Sequence, residues 1–195
     1  MSTTAKPLRA DARRNRESLL AAASELFAQS GTDVPLEAVS ARAGVGIATL
    51  YRNFPTRDAL VEAAYRSEVA HITAAAAELL VEHPADIALE RWTERYLDYV
   101  AAKRGMSGAL RAIIESGNDI YAETRGQLLA ALATLLQAGV DAGSLRADID
   151  AEDVFRATGS VFLLPQEDGW REQAARLLGL IVDGLRYGAP DAQPR

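Results

Sequence analysis

The apolar positions of this chain recur with helical spacing along most of its length. Leu19, Leu20, Ala23, Leu26 and Phe27 fall at i, i+1, i+4, i+7 and i+8, one stripe that predicts a helix over about 10–30. Gly31 stands where a left-handed C-terminal cap belongs. Val34-Pro35 then opens a short helix, with proline suited to the first turn, whose inner face is Leu36, Val39 and Ala43. Gly44 ends that helix, and another short one begins near residues 46–47. Thr56 is placed to cap a fourth, with Asp58 favoured in its first turn. Its pattern runs through Leu60, Val61, Ala64, Tyr65, Val69 and Ile72 to about Val81. Further helical patterns cover about 86–103, 107–116, 120–142, 150–164 and 168–187, separated by Gly105, Gly117, Gly143 and the LPQEDG stretch. Asp150 with Asp153 makes a capping box for the eighth. No segment alternates with period two for long enough to demand a sheet, and there is no internal repeat. The prediction is an all-α protein of about nine helices.

Within this pattern, residues 34–54 (VPLEAVSARAGVGIATLYRNF) have the anatomy of a helix-turn-helix. Ser40 is the small residue needed where two helices cross steeply, and Gly44 can take the positive φ of a tight turn. Val39, Val45 and Leu50 are the apolar knobs that hold the pair against the first helix. That leaves Ile47, Ala48, Thr49, Tyr51 and Arg52 facing outward. In such a motif the second helix enters the DNA major groove with its early residues toward base edges. The Thr49 and Tyr51 hydroxyls can reach phosphate oxygens, Tyr51 can pack on thymine methyls, and Arg52 can read guanine or pair with phosphate. Asn53 and Arg57 are placed to grip the DNA backbone, and Arg13, Arg14 and Arg16 can add phosphate contacts. The competing interpretation is a small helical subdomain with Tyr51 half-buried and its arginines merely solvated.

Charge supports the first interpretation once its distribution is considered. The net charge of −6 argues against a nucleic-acid partner. Yet residues 1–57 hold eight Lys/Arg against five Asp/Glu, while the remainder holds 13 basic and 22 acidic residues. A basic head on an acidic body is the asymmetry expected where one end meets a polyanion.

The stretch from about Arg14 to Tyr65 resembles the DNA-binding domain of TetR-family transcriptional regulators. The matching residues are AAASELFAQSG, then LEAVSARAGVGIATLYRNF, then PTRDAL, with Gly44, Val45, Thr49, Leu50, Tyr51 and Phe54 as the most specific pattern. The family usually has Thr or Ser where this chain has Pro35, which removes a hydroxyl that could cap the second helix; it often has His in place of Asn53. The resemblance implies an N-terminal three-helix head and a C-terminal helical domain for ligand sensing and dimerisation. The expected division is a basic arm without fixed fold at 1–9, the head at 10–55, the helical domain at 56–188 and a tail at 189–195. Repression is the family's commoner habit.

One such head covers a half-site, so specific binding to a palindromic operator favours a homodimer. The last helix carries an apolar arc too wide for one core stripe, including Leu177, Leu178, Ile181 and Leu185. Its expected partner is the eighth helix, with Val154, Phe155 and Val161. By resemblance to the family, these two helices form a four-helix bundle across the dimer axis; the alternative is burial within one chain. For a small, mostly apolar effector the candidate lining is Trp92, Tyr96, Tyr99 and Met106, with Asn118 and Tyr121 as polar anchors. Trp92, Tyr96 and Tyr99 at i, i+4 and i+7 equally suit plain core. If an effector binds there, the long fourth helix is the expected lever.

Other classes find little support. There are two histidines, His71 and His83, no cysteine, no Gly-x-Ser-x-Gly elbow, no phosphate-cradling glycine loop and no HExxH. Neither catalysis, a metal nor a cofactor is expected. A constitutive DNA-binding repressor or architectural protein without an effector remains the nearer alternative. With no charged-then-apolar leader and no apolar run of membrane-spanning length, the expected location is the cytoplasm and no membrane partner is expected.

Overall fold

A computed structural model describes the backbone from Ala5 to Gly188 and the side chains from Ala10 onward. Among the described residues nine α-helices follow one another: α1 (Ala5–Ser30), α2 (Leu36–Arg42), α3 (Ile47–Asn53), α4 (Arg57–Glu82), α5 (Ala85–Gly105), α6 (Ser107–Glu115), α7 (Ile120–Asp141), α8 (Ala151–Gly159) and α9 (Trp170–Arg186). A 3₁₀ segment, Ser160–Leu163, continues α8. Among the described residues there is no strand.

Two compact units share these helices. The first joins the residues up to Glu68 with Ala101–Asp119; the second joins Val69–Val100 with the residues from Ile120 onward. This differs from the expected boundary at residue 55. The cause is the end of α5 and α6, which fold into the first unit with Met106 and Leu110 fully buried. Gly105 makes that possible: a Cβ there would lie 1.9 Å from the Phe27 carbonyl oxygen of α1. Only a residue with no side chain permits two helix backbones to approach so closely.

The first unit's stripe is the predicted one. Leu19, Ala23 and Phe27 of α1 are completely buried, as are Val39 of α2, Leu50 of α3 and Leu60 and Val61 of α4. Each large side chain of this set contributes about 1.5–3 kcal/mol by leaving water. α2 ends in a Schellman turn: Gly44 N–H donates to the Ala41 carbonyl at 3.1 Å and Val45 N–H to the Ser40 carbonyl at 2.9 Å. Gly44 holds φ +65°, which glycine adopts without strain. At α4, the Thr56 hydroxyl accepts the Ala59 N–H at 3.1 Å, the predicted cap.

Three element boundaries differ from expectation. α1 begins at Ala5, so residues 5–9 of the expected arm are helical. Pro7 is tolerated there because the first-turn N–H groups have no intrahelical partner. Met1 to Thr4 and the 189–195 tail lie outside the described residues. Pro35 is the N-cap of α2 rather than a residue of its first turn. The eighth helix tightens to 3₁₀ at Ser160, after Gly159, with Pro165 beyond, where helix propensity runs out.

In the second unit, Trp92, Tyr96 and Tyr99 of α5 form a packed aromatic cluster with Phe162. Trp92 stacks on Tyr96 at 5.4 Å between centroids, and the Phe162 ring meets Tyr96 and Tyr99 edge-on at 6.4 and 6.3 Å. The Trp92 indole N–H donates to the Ile72 carbonyl at 2.9 Å, so its one polar atom is satisfied in the core. The Asp150 carboxylate accepts the Glu152 N–H at 2.7 Å and caps α8.

Candidate nucleic-acid interface

The outward face of the head is built by alternating burial along α3. Leu50 is 0 % exposed and anchors the helix, whereas its neighbour Tyr51 is 47 % exposed. Ala48 and Arg52 are exposed beside it, and Ile47, Thr49 and Asn53 are half-buried. Gly46 serves as N-cap with no side chain over the helix start. The predicted tips Thr49, Tyr51 and Arg52 therefore share one helix and point away from its anchor.

They are also held in place. Arg52 Nη2 donates to the Thr49 hydroxyl at 2.6 Å, and the Asn53 amide donates to the Thr49 carbonyl at 2.8 Å. Phe54, buried at the end of α3, has the Arg16 guanidinium 4.7 Å above its ring. α2 is tied to α1 by a two-pronged ion pair: Arg42 Nε donates to Glu25 at 3.0 Å and its Nη2 to the other carboxylate oxygen. This bond, more than any other influence, holds the Glu25 carboxyl below its ordinary pKa. Ser40, buried at the crossing, donates to the Glu37 carbonyl at 3.0 Å.

Two predicted backbone grips have other engagements. Arg14 is exposed and ion-paired with Asp11 on its own helix. Arg57 is directed inward, Nη1 donating to the carbonyl of Val34 at 2.7 Å and to that of Thr32. Its partners lie 23 and 25 residues away and are main-chain atoms, so residue spacing could not reveal them.

The expected effector lining is not gathered in one unit. Trp92, Tyr96, Tyr99 and Tyr121 belong to the second unit, Met106 and Asn118 to the first. An open groove of ≈ 480 Å³ in the first unit is lined by Arg16, Leu20, Ala59, Glu62, Ala63, Arg66 and Ser67, and contains none of the six. The expected dimer residues divide as well. Val154, Val161, Leu178 and Leu185 are buried within the single chain. Phe155, Leu177 and Ile181 stay partly exposed, joined by Leu180 at 70 % and Leu163 at 86 %. Among the described residues, no helix is long and apolar enough to cross a membrane, and no cluster of three metal-ligating side chains occurs.

Residues 19–64 match the model of bacterial regulatory proteins of the tetR family, and residues 84–187 match the C-terminal domain of SbtR-like transcriptional regulators. The second match alone spans more than half of the chain. The chain belongs to the TetR family of transcriptional regulators. It is similar to the TetR transcriptional regulator SCO0520 from Streptomyces coelicolor, with 47% identity, 89% of this chain and 99% of that one covered, and a TM-score of 0.83. A TetR regulatory protein from Mycobacterium vanbaalenii is 34% identical over 92% of this chain and 99% of its own, with a TM-score of 0.73. FadR from Bacillus subtilis, solved in complex with stearoyl-CoA, shares the fold at 15% identity, 86% and 98% coverage and a TM-score of 0.56. No curated protein sequence matches the chain. As a member of this TetR family the protein is a DNA-binding transcriptional regulator, and the family's members are not enzymes.

Proposed function

We propose that this regulator is a repressor that binds a palindromic operator as a homodimer in the cytoplasm and is released by a small, mostly apolar effector. The observation that carries the DNA part is the face of α3: Tyr51 and Arg52 stand exposed beside fully buried Leu50, with Arg52 already held by Thr49. An exposed tyrosine and a tethered arginine on a short helix match major-groove readout, because little side-chain freedom is lost on binding. Ile47, Ala48, Thr49 and Asn53 complete that face. The homodimer rests on Leu177, Leu180 and Ile181 of α9 with Phe155 of α8, apolar side chains left in contact with water. The effector part rests on family membership and on the aromatic residues of α5, and a relative of the same fold has been solved with stearoyl-CoA.

One observation favours a second reading, a constitutive repressor without an effector. Trp92, Tyr96, Tyr99 and Phe162 pack on one another, as a filled core would.

Selection of genomic fragments by the purified protein tests the proposal. The expected result is enrichment of an inverted repeat whose half-sites lie about one DNA turn apart, roughly 34 Å, bound by an even number of chains. Recovery of fragments with no shared sequence would sink it. Release of those fragments by a panel of acyl-CoA and aromatic compounds separates the two readings.

A further inference from the structure

We infer that Arg57 is a positioning residue that anchors the chain entering α2, a helix with no side-chain cap, and so sets the helix-turn-helix pair. The inference rests on the DNA-binding face described above. α2 starts from Pro35, which makes no side-chain capping bond and cannot make one. The first turn is closed only by the Pro35 carbonyl, which accepts from Ala38 N–H at 3.0 Å and Val39 N–H at 3.4 Å. A helix of this kind frays unless the chain entering it is held from outside. Arg57 does that, because Nη1 takes the carbonyls of Thr32 and Val34, the second lying immediately before Pro35.

The position of Arg57 makes the same point. It is the first residue of α4, where a cation is opposed by the helix dipole. Two carbonyl partners supply the compensating interaction. The guanidinium thereby links the start of α4, which directly follows the recognition helix, to the start of α2. Both helices of the motif are then referenced to one fixed point. Loss of the clamp frees the entry of α2 without removing any group from the exposed face of α3.

The test compares Arg57→Gln with Pro35→Ser/Arg57→Gln, since serine at the N-cap restores a side-chain acceptor for α2. Hydrogen exchange on the DNA-free protein is expected to show the Ala38 and Val39 amides exchanging at least about 10-fold faster in R57Q, with α4 amides unchanged. Operator affinity is expected to fall about 10-fold while the slope of log affinity against log salt stays at the wild-type value. A phosphate contact would instead lower that slope by about 0.9 per head. The double variant is expected to recover both protection and affinity. Unchanged exchange in R57Q overturns the inference, and so does a reduced salt slope that Pro35→Ser leaves unrepaired. Should R57Q fail to fold, recovery of a folded head in the double variant supports the clamp and failure to recover overturns it. The exchange arm needs no operator, so its result stands apart from any failure of the DNA reading.

Discussion

Leu50 and Tyr51 are neighbours in sequence and opposites in environment, and that contrast was legible from the 3.6-residue period alone. The same reasoning identified Thr49 and Arg52 as outward tips. It could not identify what restrains them, because side-chain pairs such as Arg42 with Glu25, 17 residues apart, depend on how helices cross. That ion pair makes a prediction at its own scale. Glu25 has its carboxyl pKa lowered by the Arg42 bond, so its contribution to stability is present above the ordinary carboxylate pKa. The contribution is lost as pH falls through the lowered value. Glu25→Gln is therefore expected to flatten the acid side of the head's unfolding profile; identical profiles for both proteins below about pH 4.5 would count against it.

Helices were legible as elements because their apolar stripes are long, and their ends were less so. Pro35 proved to be a cap and residues 5–9 helical, since both depend on hydrogen bonding at a helix terminus. Gly105 was legible only as punctuation between helices. Its contact with α1 joins residues 78 positions apart in the chain by backbone approach, for which glycine is permissive but not diagnostic. Gly105→Ala must push α5 away from Phe27 and is expected to destabilise the protein by about 1–3 kcal/mol in denaturant unfolding. Gly108 of α6 faces open space, so Gly108→Ala is expected to be neutral or to stabilise by about 0.5 kcal/mol. Equal effects of the two substitutions would refute the close-approach account.

For the whole molecule, the apolar arc of α9 was visible in the sequence, but its division between core and surface was not. Periodicity marks a wide stripe; only packing shows that Leu178 and Leu185 turn inward while Leu177, Leu180 and Ile181 do not. Leu180 is the sharpest probe, because it is exposed enough to change without disturbing its own chain. Leu180→Glu is expected to weaken dimerisation at least about 10-fold by sedimentation, with helical content retained. A dimer of unchanged strength would place the interface elsewhere on the chain.

The central claim is that the exposed face of α3 reads DNA. The most direct measurement is binding of the purified protein to selected operator fragments across a salt series, beside a Tyr51→Ala/Arg52→Ala variant. With each base contact worth about 1–3 kcal/mol, the variant is expected to lose at least about 30-fold in specific affinity. Its weak binding to unrelated DNA should fall much less. Equal affinity of both proteins for operator and unrelated DNA alike would contradict the account.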